Sequence, residues 1–238
     1  MHERGEGVQL GPNVVIGQRV RLGDRVSVGA NVVIGDDVSL GDEVIVDPGA
    51  VIGKVPRLGP RSRHEPVSGG GVRIEAGACL CAHAVVFVDV VLGPGAIAGE
   101  HTVIREGTRI GAGSVLGRNC GTSPGVRVGE RVRIQATGGL AVGTIVEDDV
   151  FIGPSVFTLS DGTVAPGDDT DGRIQAVTLR RASRIGGGVT LMPGVCVGEE
   201  AMVAAGSLVT HDVAAHTLVM GRPARFVREL LEQAPGPA

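Results

Sequence analysis

From Leu10 onward an aliphatic side chain recurs at every sixth residue: Ile16, Leu22, Val28, Ile34, Leu40, Val46, Ile52 and Leu58. Gly usually follows it, and a small or aliphatic residue, often Val, stands two places before it. The phase lapses after Leu58, resumes at Ile74 and holds through Leu80, Val86, Leu92 and their successors to Thr158. It lapses again and returns from Ile185 to Val209, which makes 29 hexads in blocks of 9, 15 and 5. An amphipathic α-helix repeats its apolar stripe about every 3.6 residues, and a period of six does not stay on that stripe. Six residues suit a short strand and a tight corner. The aliphatic side chain points inward, and the Gly after it permits backbone angles that a Cβ hinders. Three such sides close one triangular coil, and stacked coils bury their apolar edges on one another as in other solenoids. The pattern therefore predicts an all-β prism of about ten triangular coils over residues 1–225.

The two lapses are expected to be loops expelled from the prism, at 59–71 and 159–184. The first, GPRSRHEPVSGGG, is rich in Pro, Gly and charge, and the second contains SDGTVAPGDDTDGRIQ. Long loops in a tight solenoid often carry function. Residues 226–238 are read as a short helix, FVRELLEQ, and a tail, with the helix covering the open end of the prism.

Composition agrees with thin repeated layers. Among 238 residues there are 40 Gly, four Phe and neither Trp nor Tyr, so the interior must be filled by Val, Ile, Leu and Ala. The net charge of −4 supplies no basic field for nucleic acid or anionic membrane, so neither partner is expected. Cys79 and Cys81 form C-x-C, but no second pair stands at zinc-ligand spacing, and with Cys120 and Cys196 they read as small buried thiols. No metal is expected. The N-terminal MHERGEGVQLG has no apolar core of a secretory signal, and no apolar run approaches the roughly 20 residues of a membrane span. A soluble cytoplasmic protein is the expectation.

Residues 185–225, RIGGGVTLMPGVCVGEEAMVAAGSLVTHDVAAHTLVMGRPAR from Arg184, resemble the closing pattern of hexapeptide-repeat acyltransferases. Ile104–Gly107 (IREG), Val132–Gln135 (VRIQ) and Glu147–Pro154 (EDDVFIGP) resemble the subgroup that N-acetylates amino groups on nucleotide-linked sugars. The resemblance spans about Gly71 to Arg225; the first nine hexads fit only the generic repeat. It implies a left-handed parallel β-helix, a homotrimer with the site between subunits, acetyl-CoA or another acyl-CoA as co-substrate, and a nucleotide-linked amino sugar or related amine as acceptor. One departure stands out. Where that subgroup carries Asn after the Ile-Gln dipeptide, this chain has Ala136 and Thr137.

An eighteen-residue coil puts His83, His101, Asn119, Thr137 and Ser155 in one vertical column, each at the third place after an inward aliphatic residue. Amide formation from a thioester needs a base for the amine proton, a donor for the oxyanion and alignment of both substrates. Imidazole has a pKa suited to the first task. His101 is the expected base, with His83 second and Asn119 orienting substrate or water. Thr137, Arg105, Glu106 and Asp161 are candidates for acceptor binding. By resemblance, and because Gly admits close backbone approach, Gly187, Gly188, Ala205, Gly206, Arg222 and Arg225 are expected to hold the CoA moiety, the arginines meeting its phosphates as forked donors. Three other readings stay open: O-acylation of a small hydroxylated acceptor, a zinc hydratase of the γ-carbonic anhydrase type, and a β-helix scaffold without catalysis.

Overall fold

A computed structural model describes residues 3–57, 70–160 and 174–230. The chain is a left-handed parallel β-helix whose three faces carry ten, twelve and ten strands. Nearly every strand is two or three residues long. The first face runs from Glu3–Arg4 to Cys196–Val197, the second from Gln9–Leu10 through Met202–Val203 to Thr217–Gly221 and Ala224–Glu229, and the third from Val15–Ile16 to Leu208–Val209. Strands one coil apart pair in parallel with residues eighteen apart in register, as Ile97 with Val115 and Val115 with Arg133.

The interior is a stack of aliphatic layers. Ile34, Leu40, Ile52, Leu80, Ile104, Leu116 and Ile152 are fully buried at the hexad position, and Val20, Val26, Val32 and Val44 are buried two places earlier. Each inward side chain lies on its equivalent in the next coil. Burying one such side chain is worth about 1.5–3 kcal/mol, and the gain accrues coil by coil.

The structure corrects the role expected for the repeat glycines. Apart from Gly53 (φ 79°), which leads into the first insertion, the left-handed corner residue is the third after the inward aliphatic, not the first: Asn31 has φ 58°, His101 56°, Asn119 55° and Thr137 62°. The glycine next to the aliphatic answers a different need, close approach of the coil below. A Cβ on Gly93 would lie 2.8 Å from the Ala112 amide nitrogen and 2.9 Å from the Gly111 carbonyl carbon.

Both insertions leave the same corner, where the third face turns into the first. One follows Val51–Lys54 and precedes Val72–Ile74; the other follows Phe157–Thr158 and precedes Thr178–Leu179. The ladder closes across each, with Arg73 beside Ser39 and Thr178 beside Ile145. The second insertion is therefore shorter than expected. The coil resumes at Thr178–Leu179 rather than after Arg184, and Leu179 is fully buried. Arg180 stands where the repeat usually has Gly, which hid this hexad in the sequence.

The expected capping helix is absent from the described residues. Thr217–Gly221 extends the second face beside Met202–Val203, and Ala224–Glu229 folds back on it antiparallel. The last coil leaves a row of unpaired backbone donors and acceptors, and a strand satisfies that row where a helix offers it no partners. The remainder of the predicted helix and tail, 231–238, lies outside the described residues.

Gly93→Ala is expected to cost about 1–3 kcal/mol through backbone overpacking. Gly95→Asn, at an open corner with φ 64°, is expected to stay within about 0.5 kcal/mol, since Asn tolerates the left-handed region. Thermal unfolding of the two variants measures the contrast; equal melting temperatures would contradict these separate roles for neighbouring glycines.

Candidate functional site

The polar column exists, on the corner between the second and third faces. Its backbone is tied coil to coil: His101 N–H donates to Ala82 O at 3.1 Å, Asn119 N–H to Glu100 O at 2.8 Å, and Thr137 N–H to Arg118 O at 2.9 Å. With the backbone so satisfied, the side chains are exposed and free to face outward. The imidazoles of His83 and His101 stack with centroids 5.1 Å apart and planes 12° from parallel. Gly49, one coil above, makes room for this stack, since a Cβ there would lie 2.6 Å from His83 Cε1. Among the described residues the Asn119 side chain has no hydrogen-bond partner. Thr137 donates its hydroxyl proton to Ala136 O at 2.6 Å and lies 2.9 Å from the Ser155 hydroxyl.

The column does not stop at Ser155. Gly188 N–H donates to Pro154 O at 2.8 Å and Gly206 N–H to Gly187 O at 2.8 Å, so both glycines occupy the same corner below the second insertion. Gly187 and Ala205 directly precede them. The Arg222 guanidinium reaches Gly206 O at 3.4 Å, at the foot of the column. Arg225 is exposed on the terminal hairpin and donates to its neighbour's carbonyl, Ala224 O, at 2.9 Å. Of the residues expected to hold an acyl donor, Gly187, Gly188, Ala205, Gly206 and Arg222 thus follow the edge of His83, His101 and Asn119, while Arg225 stands apart on the hairpin.

Arg105 and Glu106 do not join them within one chain. They sit at the corner between the third and first faces, one face away from His101 and at the root of the insertions. Arg105 grips Glu106 through two hydrogen bonds of 2.7 and 2.8 Å, and its guanidinium lies 4.8 Å from the Phe87 ring centroid. Lys54 Nζ is 5.4 Å from the same ring. Glu106 is buried; burial works to raise its pKa, but the Arg105 hydrogen bonds prevail and hold the carboxyl below its ordinary value. The stability tied to that carboxylate is present above its unfolded pKa and is lost as pH falls through the folded one. Two threonines shape this corner from inside: Arg105 N–H donates to the Thr122 hydroxyl at 3.1 Å, and Thr108 and Thr122 hydroxyls lie 3.2 Å apart. Thr122 occupies an inward position, and only its place in the hexad phase could have flagged it. Asp161 lies outside the described residues.

Of the four cysteines, only Cys120 is buried, with its thiol 3.1 Å from Gln135 O; Cys79, Cys81 and Cys196 are half-buried, which corrects the uniform expectation. Cys81 lies two residues before His83. Burial, with the neighbouring Cys79 thiol, pushes its pKa up to about 12. A protonated thiol is a poor nucleophile, so Cys81 is unsuited to nucleophilic chemistry near neutral pH.

The bacterial transferase hexapeptide family (six repeats) matches residues 5–36 and 20–54, and the hexapeptide repeat of succinyl-transferase matches 107–142 and 177–211. Both are models of a transferase hexapeptide repeat, and together they match about half of the chain. A Saccharomyces cerevisiae protein named as an acetyltransferase is 33% identical over 95 residues, covering 37% of this chain and 47% of its own. Serine acetyltransferase 2 of Arabidopsis thaliana is 35% identical over 94 residues, covering 39% of this chain and 28% of its own. The chain thus spans less than half the length of these relatives. LpxA from Acinetobacter baumannii superposes with a TM-score of 0.52 at 18% identity, over 95% of this chain and 74% of that one, a likeness of fold.

Site-resolved alkylation tests the thiol assignment. With a pKa of about 12, Cys81 at pH 8 has a thiolate fraction of about 10⁻⁴, against about 0.1–0.2 for an unperturbed thiol. Its reaction with iodoacetamide is expected to be correspondingly slow and to climb steadily as pH rises toward 12. A plateau near pH 9 would contradict the shift.

Proposed function

We propose that this protein is an acyl-CoA-dependent N-acyltransferase, an N-acetyltransferase by preference, acting as a homotrimer on the amino group of a nucleotide-linked amino sugar or related amine. The observation that carries the reading is the single exposed edge on which stacked His83 and His101, Asn119, Gly188, Gly206 and Arg222 follow one another. The acetyltransferase names of the partial relatives support the acyl chemistry.

In this reading the acyl thioester lies along the edge. Its pantetheine passes the backbone at Gly187, Gly188, Ala205 and Gly206, and its phosphates meet Arg222 and Arg225. The amine attacks the thioester carbonyl, and His101 takes a proton from the attacking nitrogen, directly or through a water. The tetrahedral intermediate collapses with cleavage of the C–S bond; the His101 proton passes to the departing thiolate, leaving amide and free CoA. His83, stacked on His101, fixes the ring plane, and Asn119 orients the acceptor or the water.

Support for assembly comes from the third face, whose outward positions Val15, Val33, Val51, Val85, Val103 and Phe157 bear no charge. The first face instead presents Arg21, Arg73, Arg109 and Arg127. An uncharged face beside the column suits burial or half-burial between subunits. A neighbouring copy's Arg105–Glu106 corner is then the source of acceptor contacts that one chain cannot bring to its own His101.

O-acylation has one observation in its favour. Thr137 replaces the Asn of the resembled subgroup, and its hydroxyl is engaged with Ala136 O and Ser155, so it does not stand in for a carboxamide.

Free thiol release from acetyl-CoA with a panel of amino sugars and their hydroxyl analogues tests the reading. Release stimulated by the amines is expected, and silence with every acceptor would overturn it. His101→Ala is expected to lower kcat well over tenfold, since a positioned general base contributes about 10²–10⁴-fold. The assembly should stay intact, at about three times 24.2 kDa by light scattering. Near-normal turnover would remove His101 from the role of base.

A further inference from the structure

The flank of the column on the third face is uneven. Its outward positions, coil by coil, are Val85, Val103, Gly121, Gly139 and Phe157. Side chains are thus missing on the two coils whose corners carry Asn119 and Thr137. The opposite flank, on the second face, carries Ile97, Val115, Arg133 and Phe151 without a gap. Gly121 is open: a Cβ there meets no heavy atom within 4 Å, and its backbone is not left-handed. Gly139 is covered, since a Cβ would lie 2.8 and 3.0 Å from ring carbons of Phe157. Phe157, itself 48% exposed, folds its ring back over that glycine. What remains is a recess floored by the Gly121 backbone and walled by Val103 and the Phe157 ring. Strands stand about 4.8 Å apart, so roughly 10 Å separates the Val103 and Gly139 strands. The thickness of the two walls leaves room for about one aliphatic chain.

We infer that this recess is the acyl subsite and that Phe157 sets the chain length it accepts; the inference rests on the acyltransferase reading. Gly121 is two residues along the coil from Asn119 and one coil from His101. A thioester carbonyl held by those side chains must send its acyl group to one flank. The second-face flank meets it with Ile97, Val115 and the charged Arg133. The third-face flank offers an uncharged recess. An acetyl methyl fits over Gly121, and a chain of more than about three carbons runs into the Phe157 ring, because adjacent strand positions are only about 4.8 Å apart.

Thiol-release kinetics of the full chain with acetyl-, butyryl- and hexanoyl-CoA provide the test. The unaltered protein should prefer acetyl-CoA. Phe157→Ala should raise the hexanoyl-to-acetyl ratio of kcat/KM by at least about tenfold, the lower end of what apolar pockets discriminate. Gly121→Val should lower kcat/KM for acetyl-CoA by at least about tenfold while leaving the KM of the acceptor, the melting temperature and the assembly mass unchanged. A Phe157→Ala variant with an unaltered chain-length profile would overturn the assignment. So would a Gly121→Val variant that keeps full acetyl turnover, or that loses turnover only together with the assembly, which would mark the recess as a subunit contact. If the unaltered protein releases no thiol from any of the three donors, the acyltransferase reading itself falls and the subsite with it.

Discussion

Every feature of this molecule depends on the backbone ladder that ties each residue to the one a full coil away. On the second face the register is unbroken from Cys79 beside Ile97 to Arg133 beside Phe151. That ladder satisfies donors and acceptors the close-packed backbone would otherwise leave orphaned, at a cost comparable to a lost hydrogen bond each. It also fixes which side chains share a column. Inward columns become the aliphatic core, and corner columns become straight rows of exposed side chains. A coil one residue too long would rotate every later residue off its column, which is why both insertions are expelled at a corner and the ladder is rejoined in phase.

The corners explain why polar and glycine residues alternate there. Each corner residue is left-handed, a conformation that Gly enters freely and Asn or Asp enter with local help. On the two corners away from the column many of these places are filled by ion pairs between successive coils: Arg19 with Asp37, Arg25 with Glu43, Arg131 with Asp149. These pairs are exposed, and such pairs contribute little to stability. They occupy the corner and leave nothing free. On the column the pattern differs. Among the described residues His83, His101 and Asn119 form no ion pair or side-chain hydrogen bond with an acid, and their strained backbone is held by the same ladder as everywhere else. Strain persists where the surroundings over-determine it, and here it turns imidazole and carboxamide outward.

The prism was legible in the sequence because period six leaves no helical alternative, and the column was legible because a coil of eighteen residues makes vertical neighbours countable. Legibility failed where a residue type broke the phase or where tertiary partners chose the structure. Leu179 was hidden by the Arg180 that follows it. The FVRELLEQ segment has good helix formers, but the free edge of the Thr217–Gly221 strand selects a strand over Ala224–Glu229, tertiary context overriding propensity. The repeat glycines were visible, yet their reason was not, since only coordinates show that Gly93 faces the Gly111–Ala112 backbone at contact distance. Arg105 and Glu106 were grouped with His101 by motif. Position in the coil separates them, because residues after the third face turn toward the first.

A solenoid separates stability from chemistry more completely than a globular fold does. Its core is a sum of nearly equivalent layers, so the interior at His101, with Ala98, Thr102 and Ile104, differs only in detail from that at Asn31, with Val28, Val32 and Ile34. What distinguishes the two levels lies outside: an imidazole stack seated by Gly49, an Asn119 side chain with no partner among the described residues, and an open Gly121 on the adjacent face. All three are changes at outward or corner positions that the ladder tolerates without repacking the core. The same logic accounts for Thr137. Replacing a carboxamide by a hydroxyl at that corner leaves the coil intact, with the threonine absorbed into bonds to Ala136 and Ser155. The fold is indifferent to that exchange, because the bond from Thr137 N–H to Arg118 O holds the corner whichever polar side chain stands there.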